Sequence, residues 1–124
     1  MRLMDEVPVM LACFDTASHR CLYANVHYAR FGGLAPAQAV GRTAEEIIGA
    51  EATARIRPAI DRVLTENTTV TYARSVDANG KWRWIEVSLV PWGSPKPERV
   101  FVMITDITKH RAAELASKQS SDRL

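Results

Sequence analysis

The chain has 124 residues, 47% hydrophobic and 24% charged, which is the balance of a soluble globular domain with one core rather than of a disordered segment. A formal net charge of +2, with no basic run interleaved with aromatics, argues against a nucleic-acid surface. No apolar stretch approaches the roughly 20 residues that a membrane-spanning helix needs, and residues 1–6 lack a signal-peptide core, so the expected location is the cytoplasm.

Residues 7–14 form a continuous apolar run bounded by Asp15, Thr16 and Ser18, and predict a strand covered on both faces or nearly so. Residues 20–24 predict a second strand, close enough in sequence for an antiparallel hairpin. That pairing brings Cys13 and Cys21, the chain's two cysteines, onto neighbouring strands, where a disulfide is conceivable but a reducing compartment favours buried free thiols. Asn25 is placed to cap a helix over residues 26–31, which ends at Gly32 and Gly33. Residues 35–39 predict a single helical turn with Pro36 in its first positions. Thr43 and Glu46 have the spacing of a capping box, opening a short helix that stops at Gly49.

The longest helical pattern covers residues 51–66, with Ile56, Ala59, Ile60, Val63 and Leu64 on one face and Arg55, Asp61, Arg62 and Glu66 outside it. Pro58 removes a backbone donor there, so either the regular helix starts near Arg57 or it is kinked there, and an irregular first turn is the favoured reading. From Val70 the period changes to two. Residues 70–76 predict a strand, and residues 77–80 a turn in which Asn79-Gly80 suits the positive backbone angles of a tight hairpin. In the long strand that follows, Ile85, Val87 and Leu89 share one face, and Trp82, Trp84, Glu86, Ser88 and Val90 share the other. Residues 91–97 have the composition of a loop. In a last strand Val100, Val102 and Ile104 alternate with Phe101, Met103 and Thr105. The class is therefore α+β, an antiparallel sheet with short helices over one face.

Four segments carry a family resemblance: Tyr23-Ala24-Asn25, Val40-Gly41-Arg42-Thr43 with Glu46, the stretch 79–87, and Asp106-Ile107-Thr108. In their order and spacing the chain resembles a PAS domain, the small sensory module of bacterial signalling proteins, over residues 7–111. The resemblance implies a five-stranded sheet in the order 2-1-5-4-3, with helices enclosing a pocket on one face. It also implies an N-terminal flanking segment at 1–6, a sensory domain at 7–108, and the start of a linker helix at 109–124. Such a helix leads to an effector in cis, typically a histidine kinase or a diguanylate cyclase. The polar helical pattern of the last residues fits a segment of a longer protein cut at that linker.

Strand parity then names candidate pocket residues. Ile85, Val87, Leu89, Val100, Val102 and Ile104 would face the helices, joined by Met10, Ala12 and Phe14 and by Ile60 and Val63 of the long helix. A pocket of this kind takes a small apolar or weakly polar ligand, with Asn25, Tyr28, Arg30 or Arg74 as polar anchors. The plain alternative is a filled core. No cofactor is assigned. Flavin-binding members of the family carry a cysteine among the helices, and residues 26–64 contain none. Haem-binding members use a histidine on the long helix, which residues 51–66 lack, so both groups are disfavoured. His19, His27 and His110 do not have metal-ligand spacing. No nucleophile, base and orienting group can be assembled, so catalysis is not expected of this chain.

On the opposite face, Trp82, Trp84, Phe101 and Met103 would leave a large apolar patch in water. Cover by N-terminal residues, including Leu3 and Met4, or a homodimer interface would meet that demand. Signal transmission falls to Gly80, Asp106, Ile107 and Thr108, with Asp106 either capping the exit helix or bonding to the turn at Gly80. The competing function is a ligand-free scaffold that dimerises constitutively.

Overall fold

The computed structural model describes residues 9–78 and 80–113. The predicted N-terminal flank, cover by Leu3 and Met4, the Asn79 half of the hairpin turn and most of the linker helix lie outside the described residues. In chain order the elements are β1 (Val9–Asp15), β2 (Cys21–Ala24), α1 (Val26–Phe31), α2 (Pro36–Ala39), α3 (Ala44–Ile48), α4 (Ala50–Glu66), β3 (Val70–Ala78), β4 (Lys81–Trp92) and β5 (Arg99–Asp106).

The strands form one antiparallel five-stranded sheet in the order β2-β1-β5-β4-β3, as the resemblance implied. Its central pair joins the first and last strands, with Val9 opposite Thr105 and Asp15 opposite Arg99. The helices cover the face to which Val87, Leu89, Val100 and Val102 point, all of them buried. Ala24, Ala29 and Ala39 are buried in the same core, their small side chains allowing close packing of the short helices on the sheet.

Local chemistry explains where the helices begin and end. The Asn25 Oδ1 accepts hydrogen bonds from the Tyr28 amide at 2.9 Å and from the Leu11 amide at 3.1 Å, while its Nδ2 donates to the Val9 carbonyl at 2.7 Å. One side chain thus caps α1 and ties it to β1. Gly32 follows α1, and its backbone lies so close to the Ile47 carbonyl of α3 that a Cβ there would collide with it. Gly33 then takes the left-handed conformation at φ +73°. The Thr43–Glu46 capping box is present: the Thr43 amide donates to Glu46 Oε1 at 3.1 Å and the Glu46 amide to Thr43 Oγ1 at 3.3 Å. The Thr43 amide and hydroxyl, each 3.1 Å from Glu46 Oε1, hold the Glu46 carboxyl below its ordinary pKa.

The structure corrects the expected bounds at two prolines. α4 is one continuous helix from Ala50, not an irregular turn before Arg57. Pro58 and Ala54, whose carbonyl loses its partner, are both exposed, so water can satisfy that carbonyl while buried Thr53, Ile56 and Val63 hold the helix down. Pro91 and Trp92 belong to β4 rather than to a loop, paired with Val100 and Arg99. β3 stops pairing at Val70, opposite Leu89, so Pro91 sits where β4 has no neighbour on that side and its missing N–H breaks no ladder. Cys13 and Cys21 are both free and buried, and burial pushes both thiols up. They lie on either side of a register shift, Cys13 opposite Tyr23 and Cys21 opposite Phe14.

Candidate functional site

A cavity of about 280 Å³ opens between α3, α4 and the inner face of the sheet. Its floor is Val100, Val102 and Ile104 of β5 with Phe14 of β1, and Tyr28 closes it from α1. α4 contributes Thr53, Ile56, Ile60 and Leu64, residues three and four apart that share one helical face. α3 contributes Ile48. Exposed His19, Glu45 and Arg57 rim the mouth, together with Asp15, Thr16 and Thr43. The volume lies near the lower limit of about 300 Å³ usual for small-molecule sites.

Of the predicted pocket residues, Phe14, Tyr28, Ile60, Val100, Val102 and Ile104 line this cavity. Ala12, Val63, Val87 and Leu89 are instead packed in the core, with Met10 and Ile85 against it. Asn25 does not reach the cavity, because its amide is committed to Val9, Leu11 and Tyr28. Arg30 and Arg74 are also outside the lining. Ile48, Thr53, Ile56 and Leu64 line the cavity and were not predicted to do so. The spacing Ile56-Ile60-Leu64 was a usable signal, since it separates a row on α4 from the row Ala59-Val63 that packs on the core.

The cavity holds few polar groups. Tyr28 is 2% exposed, and its hydroxyl has no hydrogen-bond partner among the described residues. Burial pushes the phenol well above its ordinary pKa, so it stays neutral and able to donate. Its ring meets Phe14 edge-on at 6.2 Å. The Thr53 hydroxyl donates to the Gly49 carbonyl at 2.8 Å, which leaves its oxygen free to accept. At the rim, Asp15 accepts from the Ser18 hydroxyl at 2.7 Å and the Ser18 amide at 3.1 Å, and these bonds lower its pKa.

The exit from the sheet is built around Asp106 and Trp84. The Asp106 Oδ2 accepts from Arg83 Nε at 2.9 Å and from its terminal nitrogen at 2.8 Å. Its Oδ1 accepts from the Thr108 hydroxyl at 2.6 Å and the Thr108 amide at 2.9 Å. Burial works to raise the Asp106 pKa, but the bonds from Thr108 and Arg83 outweigh it and the value falls below the ordinary one. The Trp84 amide donates to Thr108 Oγ1 at 2.9 Å, and the Ile107 amide donates to the Trp84 carbonyl at 2.8 Å. Helical residues 108–113 carry Arg111 back over the Trp84 ring, its guanidinium 3.8 Å from the centroid.

Asp106 therefore caps the exit helix as expected, but the bond to the turn at Gly80 is absent. The register places Asp106 opposite Ile85, well short of the hairpin tip, where the Gly80 amide donates to Asp77 instead. The apolar outer face also divides. Phe101 and Met103, 43% and 41% exposed, share it with Leu11, Cys13, Tyr23 and Val90. Trp84 is separated from them by the Glu86–Thr105 pair and lies under Arg111, while Trp82, 72% exposed, stands apart near the hairpin tip. No helix among the described residues is long and apolar enough to cross a membrane, and none of their His, Cys, Asp and Glu side chains form a group that could hold a metal ion.

Several known proteins share this architecture. A sensory box sensor histidine kinase from Vibrio cholerae is similar with a TM-score of 0.68 at 15% identity, over 86% of this chain and 88% of that one. The PAS domain of BvgS from Bordetella pertussis gives 0.65 at 22% identity, over 99% of this chain and 94% of that one. Vibrio cholerae VqmA gives 0.68 at 22% identity over 88% of this chain, which spans 50% of the VqmA chain. No curated protein matches the sequence. At such identities the likeness shows the fold alone, whereas the family model for the PAS fold matches residues 4–112, nearly the whole sequence. The chain belongs to the PAS-fold family.

Proposed function

We propose that this chain is the cytoplasmic sensory domain of a bacterial signal-transduction protein, non-catalytic in itself. It takes a small, mainly apolar ligand and biases an effector attached in cis, such as a histidine kinase or a diguanylate cyclase. One observation carries this reading: β5 is both the floor of the cavity and the strand that ends in the exit. Val100, Val102 and Ile104 touch the void, and Asp106, in the same strand, grips Thr108 and Arg83. A ligand that repositions the floor therefore acts on the residues that orient the exit helix. It shifts output only to the extent that it binds the two exit arrangements unequally. The structurally similar Vibrio cholerae sensor histidine kinase and the VqmA–ligand–DNA complex support a sensing role.

A homodimer belongs to the same proposal, formed through the outer-face cluster of Leu11, Tyr23, Val90, Phe101 and Met103. VqmA is described as a dimer. Haem and flavin stay disfavoured in this proposal, because residues 51–66 contain no histidine and residues 26–64 no cysteine.

Native mass spectrometry of the purified chain tests the sensing role, with a bound small molecule as the expected result. A chain that emerges empty and captures nothing from a metabolite extract would instead be the ligand-free dimerisation scaffold. Sedimentation at micromolar concentration is expected to show a dimer, and a Phe101→Glu, Met103→Glu double variant a monomer.

A further inference from the structure

The ligand class can be narrowed by asking what the cavity leaves unsatisfied. This step rests on the sensing role proposed above. A buried phenol hydroxyl ordinarily finds a partner. That of Tyr28 has none among the described residues, and because none of their fully buried side-chain oxygens lacks a partner, it is open to the cavity that the residue lines rather than sealed in the core. The Thr53 hydroxyl, by contrast, is already committed as a donor to Gly49. The charged groups in the lining, Asp15, Glu45 and Arg57, are at the rim with His19, and two of these three formal charges are negative. Deep in the cavity no cation offsets the removal of a carboxylate or phosphate from water. Phe14, Ile48, Ile56, Ile60 and Leu64 surround the rest.

We infer that the cavity selects a compact, uncharged, largely apolar molecule bearing one hydrogen-bond acceptor of the carbonyl or heteroaromatic-nitrogen type, which receives the Tyr28 hydroxyl. The aliphatic walls accept the apolar body of such a molecule. Tyr28 distinguishes it from a hydrocarbon of the same shape. The phenol remains a neutral donor throughout the physiological pH range.

Probe molecules test the class without knowledge of the natural ligand. Acetophenone, ethylbenzene and benzoate share a ring and nearly a shape, and differ in carrying an acceptor, nothing polar, or a charge. Their dissociation constants are measured by NMR from the methyl signals of Ile60, Val102 and Ile104, in the wild-type chain and in Tyr28→Phe. Ethylbenzene should bind both proteins about equally, which also shows that the variant is folded. The ratio of acetophenone to ethylbenzene affinity should fall about three- to tenfold in Tyr28→Phe, the range expected for one hydrogen bond. Benzoate should bind the wild type at least about tenfold more weakly than acetophenone, for want of a buried cation. An unchanged ratio overturns the role of Tyr28. Benzoate binding tighter than acetophenone overturns the uncharged class and points to Arg57 as the anchor. If ethylbenzene binds and the other arms fail, the cavity stands and only the ligand class falls. If no probe moves the methyl signals in either protein, the sensing role and this inference fall together.

Discussion

Two side chains each tie the sheet to a helix, Asn25 at the entry to the helical layer and Asp106 at the exit from the domain, and they do so with opposite chemistry. Asn25 is a neutral, part-buried amide that bonds to Val9, Leu11 and Tyr28, all backbone groups within β1 and α1. Asp106 is an ionised carboxylate at the solvent boundary, held by the guanidinium of Arg83 and by Thr108. The first joint is fixed, because breaking it leaves backbone groups unpaired away from water. The second is adjustable, because water can replace any of its partners at little loss. A sensory domain needs both: a cavity wall that keeps its shape, and an exit that can take a second arrangement.

Four experiments can break or sharpen this contrast, in order of expected effect. Asn25→Ala should destabilise the fold by about 2–3 kcal/mol in urea unfolding, since it orphans the Leu11 and Tyr28 amides and the Val9 carbonyl at once. A loss below about 0.5 kcal/mol would remove the distinction between the two joints. Asp106→Ala should lower stability by only about 1 kcal/mol or less, yet accelerate amide exchange at Ile107 and Arg111, which follow it into the exit helix. In the full-length protein the same substitution should uncouple output from ligand.

Acid provides the third test. Because the folded pKa of Asp106 is depressed, its contribution is complete above the ordinary carboxylate value of about 3.8 and disappears as pH falls through the lower folded value. Asp15 and Glu46 are shifted in the same direction. Stability and the Trp84 indole signal should therefore be flat from neutrality to about pH 4 and change below it, while the Asn25 contacts persist until global unfolding. The smallest effect is that of Arg111→Ala, about 0.5 kcal/mol from the loss of the guanidinium over Trp84, read as altered Trp84 chemical shifts with the cavity methyl groups unmoved.

The sheet was legible in the sequence wherever one residue type repeated with period two, as at Ile85-Val87-Leu89 and Val100-Val102-Ile104. The Thr43–Glu46 box and the Asn25 cap were legible because both partners are local. What escaped was whatever depends on distant neighbours. The cap at Asn25 could be foreseen, but its bonds to β1 could not, since Leu11 is fourteen positions away and is brought there by the sheet. Parity distinguished inward from outward residues, yet it could not say which inward residues face a void, and so Val87 and Leu89 stood beside Val102 and Ile104 as equals. Arg83 as the partner of Asp106 depends on the β4–β5 register, which only the complete pairing fixes. Pro58 misled for a similar reason: propensity argues against a helix there, and burial of Thr53, Ile56 and Val63 overrides it.

The antiparallel contact of β1 with β5 has a consequence for how such a domain is inherited. Val9, where the strand enters, lies opposite Thr105, where the other leaves, so the chain arrives and departs about 5 Å apart. From the standpoint of the polypeptide passing through it, the whole domain is a side loop closed at its base. It can be inserted into an existing connector, duplicated or excised with little change in the distance that the connector must span. The cavity can then diversify inside the loop while the points at which the chain enters and leaves the sheet keep their relation to one another.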